Sequence, residues 1–200
     1  MTNVSAMNAS LEEIKTAEDV QAAIRDAPKV LPVAGRTMSG LLQAPDDVLL
    51  ADMRSMSGIL EYVPAEYTIT AQAGTPVSEL AAAVNSNGQY LPFDPVLVQA
   101  GATAAGTVAS GISGSGRLRY GGLRDFFLGT HFIDGKGRMI RGGGKVVKNA
   151  AGFDFPKLLI GSMGRLGILL DVTFKVFPRP LAYATLLTSF ATIEDVLAVI

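Results

Sequence analysis

The chain has 200 residues, 48% of them hydrophobic, with a formal net charge of −1, no cysteine and one histidine. That is enough apolar material for a sizeable core, in one domain or two closely packed lobes, while the charge argues against nucleic acid or a membrane surface as partner. The lack of cysteine excludes a disulfide framework and an iron–sulfur cluster held by this chain's own thiolates. No apolar run approaches the roughly eighteen residues of a transmembrane helix, and the first ten residues lack the regions of a signal peptide, so a cytoplasmic location is expected.

Thr16 with Asp19 makes a capping-box-like helix start, after which Val20, Ala23, Ile24 and Ala27 share one face up to Pro28. Val30–Val33 reads as a strand entering Ala34-Gly35-Arg36-Thr37, and residues 48–51 as another short buried strand. Ile59–Val63 and residues 67–73 read as paired strands around Pro64-Ala65-Glu66. Thr75 is the expected cap of a second helix that starts at Pro76, buries Val77, Leu80, Ala81 and Val84, and stops at Gly88. Residues 126–133 and 138–141 flank the hairpin turn Asp134-Gly135-Lys136-Gly137. Residues 154–160 form a short helix. Residues 168–177 form a long strand with Val172, Phe174 and Val176 toward the core and Asp171, Thr173 and Lys175 outward. Pro178-Arg179-Pro180 punctuates the chain like a domain boundary. A strand over 181–190 and a helix opened by Thr192 with Asp195, still running at Ile200, are expected beyond it.

The stretch 101–129 gathers Gly101, Gly106, Gly111, Gly114, Gly116, Gly121, Gly122 and Gly129 with small Ala, Ser and Thr residues around a short helix, Ala104–Ser110. Small side chains leave backbone N–H groups bare, and glycine admits the turns that wrap a chain around an anion. A glycine-rich connection between two strands is the bland alternative. The G-x-G pairs (Gly114/Gly116, Gly135/Gly137, Gly142/Gly144) lack the third glycine of a Rossmann fingerprint. Gly144-Lys145 has Val146 after it and Met139 where a P-loop needs its leading glycine. No nucleophile elbow, catalytic triad or metal-ligand cluster is present in the sequence, and no metal is expected. Residues 117–165 carry ten Lys/Arg against three Asp, whereas residues 1–80 carry eleven acids and five bases. A basic segment beside glycine loops suits a phosphorylated ligand, or is a solvated face.

Five motifs in this order, LPFDP (91–95), GATAAGTVASGISG (101–114), YGGLRDFFLG (120–129), VVKNAAGFDFPKLLIGSMGRLGIL (146–169) and VFPRP (176–180), carry a family resemblance. Over about residues 20–180 the chain resembles the FAD-binding lobe of the vanillyl-alcohol-oxidase flavoproteins, the para-cresol methylhydroxylase (PCMH-type) fold. Within that family it resembles the FAD-binding subunits of bacterial glycolate oxidases. The resemblance implies an α+β fold: a PCMH-type FAD-binding domain over 1–180 made of two α+β subdomains (16–65 and 66–180), then the start of a truncated substrate (cap) domain over 181–200.

Carried over position by position, the resemblance places a first phosphate loop at Ala34, Gly35, Arg36, Thr37 and Met38, and a second at Gly101, Ala102, Thr103, Gly106 and Thr107. Ser110, Gly111 and Ser113 fall near the flavin. Asn149 and Gly152 precede the short helix, and Gly161, Ser162, Gly164, Gly167 and Ile168 line the cofactor before the last strand. The first loop departs from the family's glycine run at Ala34 and Arg36, and Arg36 either pairs with a phosphate or weakens binding by its bulk. FAD is expected to be noncovalent, because the chain has no Cys and its one His, His131, falls in a strand, where a packed or capped role is the better reading than catalysis. Arg124-Asp125 is either an ion pair pinning the flavin loop or a surface pair. Lys145, Lys148 and Lys157 either meet phosphate or are solvated, and Tyr120 and Phe153 either border the ring or are core.

The implied activity is oxidation of a small 2-hydroxy acid such as glycolate, with hydride passing to flavin N5 and a base taking the hydroxyl proton. Neither that base nor a carboxylate clamp is identifiable in the sequence. Implied partners are a larger flavoprotein subunit and an iron–sulfur subunit, through which the chain would associate peripherally with a membrane, and the chain is not expected to turn over alone. The alternatives are another dehydrogenase of the fold (D-lactate, aldonolactone), the reductase of peptidoglycan precursor synthesis, or a scaffold that has lost FAD.

Overall fold

The computed structural model describes residues 10–38, 40, 47–144 and 153–199. It opens with a parallel sheet of three strands, β1 (Ser10–Glu13), β2 (Val30–Val33) and β3 (Leu49–Asp52), in the order β1-β3-β2. Helix α1 (Ala17–Asp26) makes the crossover from β1 to β2. Its capping box forms as the sequence predicts: Asp19 N–H donates to Thr16 Oγ1 at 3.2 Å, and Thr16 N–H to Asp19 Oδ2 at 2.9 Å. Val20 and Ala23 on the inner face are buried with Ile14, Ala51 and Met53. Ile133 and Ile168 of the second sheet, with Leu170 close behind in the chain, join that cluster, so the small sheet and α1 pack onto the larger one.

The larger sheet is antiparallel, in the order β4-β5-β10-β7-β8, with β9 paired beside β7. Its strands are β4 (Ile59–Val63), β5 (Thr68–Gln72), β7 (Phe127–Ile133), β8 (Met139–Gly143), β9 (Ile168–Leu169) and β10 (Asp171–Lys175). A two-residue strand β6 (Gln89–Tyr90) pairs with β11 (Phe177–Pro178). Helices α2 (Val77–Asn85) and α3 (Ala104–Ser110) pack on the sheet through Leu80, Val84 and Val108, around the mutually tilted rings of Phe93 and Phe174 with centroids 4.9 Å apart. Short helices α4 (Arg117–Tyr120), α5 (Leu123–Phe126) and α6 (Phe155–Leu159) complete this region, and α7 (Ile193–Leu197) lies near the end. Among the described residues no helix is long and apolar enough to cross a membrane.

Five local expectations are corrected. Thr75 does not cap α2 by its side chain: its hydroxyl donates to Gln72 O at 2.7 Å and accepts Gly58 N–H at 3.0 Å. A carbonyl distant in sequence takes over, since Val77 N–H donates to Ala102 O at 2.9 Å. The strand expected over 168–177 is divided into β9, β10 and β11, because it changes partner from β7 to β5 and then β6. Val172, Phe174 and Val176 are buried as expected, but Thr173 is buried too, its hydroxyl 2.9 Å from that of Thr70. Residues 181–190 form no strand and are exposed, and α7 closes at Ala198 although Thr192 and Asp195 open it as predicted.

Candidate cofactor site

Three backbone segments converge on one cavity of about 380 Å³. The first is the turn after β2, at the carboxyl edge of the parallel sheet. Gly35 is required there: a Cβ on it would lie 2.0 Å from Gly101 O, so the first loop touches the second, backbone against backbone. Arg36 follows with φ +52°, a left-handed conformation that makes the turn.

The second segment is α3. Its helical period divides the small residues between two faces, with Ala104, Thr107 and Val108 buried and Ala105, Gly106, Ala109 and Ser110 lining the cavity. The third segment is 161–167, bound to α3 by Gly161 N–H to Val108 O (3.0 Å) and Met163 N–H to Ala109 O (2.9 Å). Its other end lies against β2, where a Cβ on Gly164 would meet Pro32 Cγ at 2.7 Å.

Of the residues expected at the cofactor, Ala34, Gly35, Arg36, Thr37, Met38, Thr103, Gly106, Ser110, Ser162, Gly164 and Gly167 line this cavity. Gly101, Ala102, Thr107, Gly111, Ser113, Gly161 and Ile168 do not line it. Gly111, at φ +66°, closes α3 against Gly161; Ser113 Oγ accepts Leu123 N–H at 3.3 Å; Ile168 is buried in β9. Asn149, Gly152, Lys145 and Lys148 lie outside the described residues. Sequence reasoning passed over Pro32, Met53, Ala105, Ala109 and Met163, which also line the cavity. The spacing of Ala105 and Ala109 was the available signal, one helical turn apart beside Gly106.

The rest of the glycine-rich stretch is used within the protein. Asp94 of LPFDP accepts Gly114 N–H on its carbonyl at 2.7 Å and Gly116 N–H on Oδ2 at 2.9 Å. A Cβ on Gly114 would come within 2.2 Å of that carboxylate, so these glycines admit Asp94 and lie off the cavity. Asp125 Oδ2 accepts Gly122 N–H at 2.9 Å and caps α5, and Arg124 is in none of the described ion pairs. Lys157 pairs with Asp154 at 2.6 Å, Tyr120 packs edge-on against Tyr90, and Phe153 is exposed; none of them lines the cavity. His131 is a structural strand residue. Its Nδ1 lies 2.7 Å from Asp171 Oδ2 and its N–H donates to Asp171 Oδ1 at 2.9 Å.

The chemistry of the lining suits an anion flanked by flat, apolar groups. The backbone N–H groups of Gly35, Arg36, Thr37, Met38, Gly106 and Gly164 donate to no acceptor among the described residues. Unsatisfied amides clustered at a loop and a helix start are the donors that hold a pyrophosphate. Ser110, Ser162, Thr37 and Thr103 add hydroxyls, and the remaining lining is largely aliphatic or methionine. Arg36 is the one charged side chain among the described lining residues. Next to it Asp52, buried at the end of β3, receives Arg54 Nε at 2.9 Å on each oxygen. The hydrogen-bonded Arg54 guanidinium holds the Asp52 carboxyl below the usual carboxylate range, against the opposing effect of burial.

Residues 10–143 match the family model described as FAD binding domain. The chain belongs to this FAD-binding domain family. The expected PCMH-type FAD-binding α+β fold is borne out, and FAD is the cofactor that membership of the family indicates. Glycolate oxidase subunit GlcE of Escherichia coli (strain K12) is 41% identical over 169 residues, which are 84% of this chain and 48% of that protein. Glycolate oxidase subunit GlcD of Bacillus subtilis (strain 168) is 32% identical over 80% of this chain and 34% of its own length. A D-lactate dehydrogenase of Anaerostipes hadrus is 28% identical over 95% of this chain and 41% of its own length. The chain thus spans less than half the length of these relatives. The fold recurs in an alkyldihydroxyacetonephosphate synthase structure with a TM-score of 0.71 at 23% identity, covering 86% of this chain and 32% of that one.

Proposed function

We propose that this chain is the FAD-binding part of an oxidoreductase of the glycolate oxidase type, acting on a small 2-hydroxy acid. The observation that carries the reading is one cavity lined by the turn 34–38, Gly106 of α3 and Gly164, whose amides find no acceptor among the described residues, in a chain 41% identical to a glycolate oxidase subunit. In this reading the turn after β2 and the amide of Gly106 hold the pyrophosphate. Ala105, Ala109 and Ser110 give the flavin a flat floor, and Met53 and Leu50 cover its apolar flank. Bound FAD supplies the acceptor for the substrate's hydride.

Noncovalent attachment is supported by the absence of cysteine and by the position of His131, whose ring is engaged by Asp171 away from the cavity lining. No His, Asp or Glu lines the cavity among the described residues. The proton acceptor and the carboxylate clamp are therefore assigned to other parts of the assembly, in line with a larger flavoprotein subunit and an iron–sulfur subunit as partners. A domain division at about residues 65 and 180, and a substrate domain beginning at 181, belong to the same proposal. The test is the visible absorbance spectrum of the purified chain after incubation with FAD and gel filtration, with heat extraction of the bound pigment. Yellow protein releasing FAD is the expected result. A protein that stays colourless would favour the scaffold that has lost its cofactor.

A further inference from the structure

We propose that Arg36 is a side-chain phosphate ligand, which supplies the positive charge of the cofactor cavity from a position that backbone geometry would reserve for glycine. The inference rests on the reading of the cavity as the FAD site. Its first support is electrostatic. A pyrophosphate would bring two negative charges into a lining whose other described members are all neutral, and Arg36 is the one cationic residue among the described residues of that lining. Its second support is availability. Arg36 is exposed and belongs to none of the described ion pairs. Asp52, on whose carboxyl Arg36 acts electrostatically, has both oxygens engaged by Arg54.

The third support is conformational. Arg36 holds φ +52°, a left-handed conformation that strains a residue with a side chain and costs glycine little. The turn alone gives no reason for arginine here. A guanidinium placed beside the free amides of Gly35, Thr37 and Met38 gives one, because its planar fork matches two phosphate oxygens at once.

The test is FAD titration of the full chain, followed by flavin fluorescence at low and high ionic strength. It compares the wild type with Arg36→Gly, Arg36→Gln and Arg36→Lys, alongside thermal melts of the four apoproteins. Arg36→Gly is expected to bind FAD about tenfold to a hundredfold more weakly at low salt, the worth of hydrogen bonds to a charged group. Its apoprotein is expected to melt higher, since the left-handed strain is gone. Affinity and stability moving in opposite directions is a signature that a purely structural arginine would not give. Arg36→Gln, which keeps the bulk, should bind as weakly as the glycine variant, while Arg36→Lys recovers most of the affinity. The wild-type advantage should shrink as salt screens the pair. Equal affinity and equal salt dependence for wild type, Arg36→Gly and Arg36→Gln would overturn the role of Arg36 and leave the cavity as the FAD site. A wild type that binds no FAD would overturn both.

Discussion

Gly35 and Gly106 both serve the cavity, but a methyl group added at each would do different harm. At Gly35 it would strike Gly101 O at 2.0 Å, a backbone atom that cannot rotate away. Gly35→Ala is therefore expected to force the first and second loops apart, lowering the melting temperature along with FAD affinity, at a cost of about 1–3 kcal/mol. At Gly106 the one neighbour within reach is Thr103 Oγ1 at 2.9 Å, on a side chain that can turn. Gly106→Val should leave the circular dichroism and the melt of the apoprotein near wild type and abolish FAD binding, because its side chain occupies the cavity. Retention of stoichiometric flavin in that folded variant would move the pyrophosphate elsewhere. Asp52 makes a prediction of another kind. Its carboxyl is held below the usual range by Arg54, so it contributes stability above its unfolded pKa of about 3.9 and loses that contribution as pH falls through the lower folded value. Asp52→Asn should be less stable than wild type at pH 7, and the gap in melting temperature should close in strong acid. A gap independent of pH would assign the loss to packing.

At the scale of elements, what could be read from the sequence followed how local the cause was. The start of α1 is set by residues within four positions of each other, and both of its capping bonds form. Thr16→Ala should accordingly cost about 1 kcal/mol in urea unfolding, the usual worth of a helix cap, without altering FAD binding. The hairpin of β7 and β8 is equally local, closed by Asp134 Oδ1 accepting the N–H groups of Lys136 and Arg138. β1 was not legible. Ser-Leu-Glu-Glu has no alternation and is exposed along its length, and it becomes a strand through parallel pairing with β3. The cap of α2 was misread for the same reason, since the acceptor for Val77 N–H is Ala102, distant in sequence. The cavity was legible where glycine or a short helix marked it, at Gly35, Gly106 and Gly164. It was hidden where an ordinary apolar residue such as Pro32 or Met53 reaches it only through the fold.

For the whole molecule, the distribution of chemistry matters more than any one contact. Oxidising a 2-hydroxy acid needs an acceptor for hydride, a base for the hydroxyl proton and a cation for the carboxylate. The described residues around the cavity offer amides, hydroxyls, aliphatic surface and one arginine, a set fitted to hold a dinucleotide and lacking a base. The side chains of Leu181, Tyr183, Leu186, Leu187, Ile193 and Leu197 meanwhile stand exposed at the end of the described chain, an apolar surface of the kind that other protein usually covers. Cofactor binding and turnover should therefore separate. The 200-residue chain loaded with FAD is expected to stay yellow when mixed anaerobically with glycolate or D-lactate, yet to bleach at once with dithionite, which needs no substrate site. If the proposed assembly holds, adding its other subunits should restore bleaching by one hydroxy acid in preference to the other, and that preference names the substrate. Rapid bleaching of the isolated chain by either acid would show that its own residues supply the base.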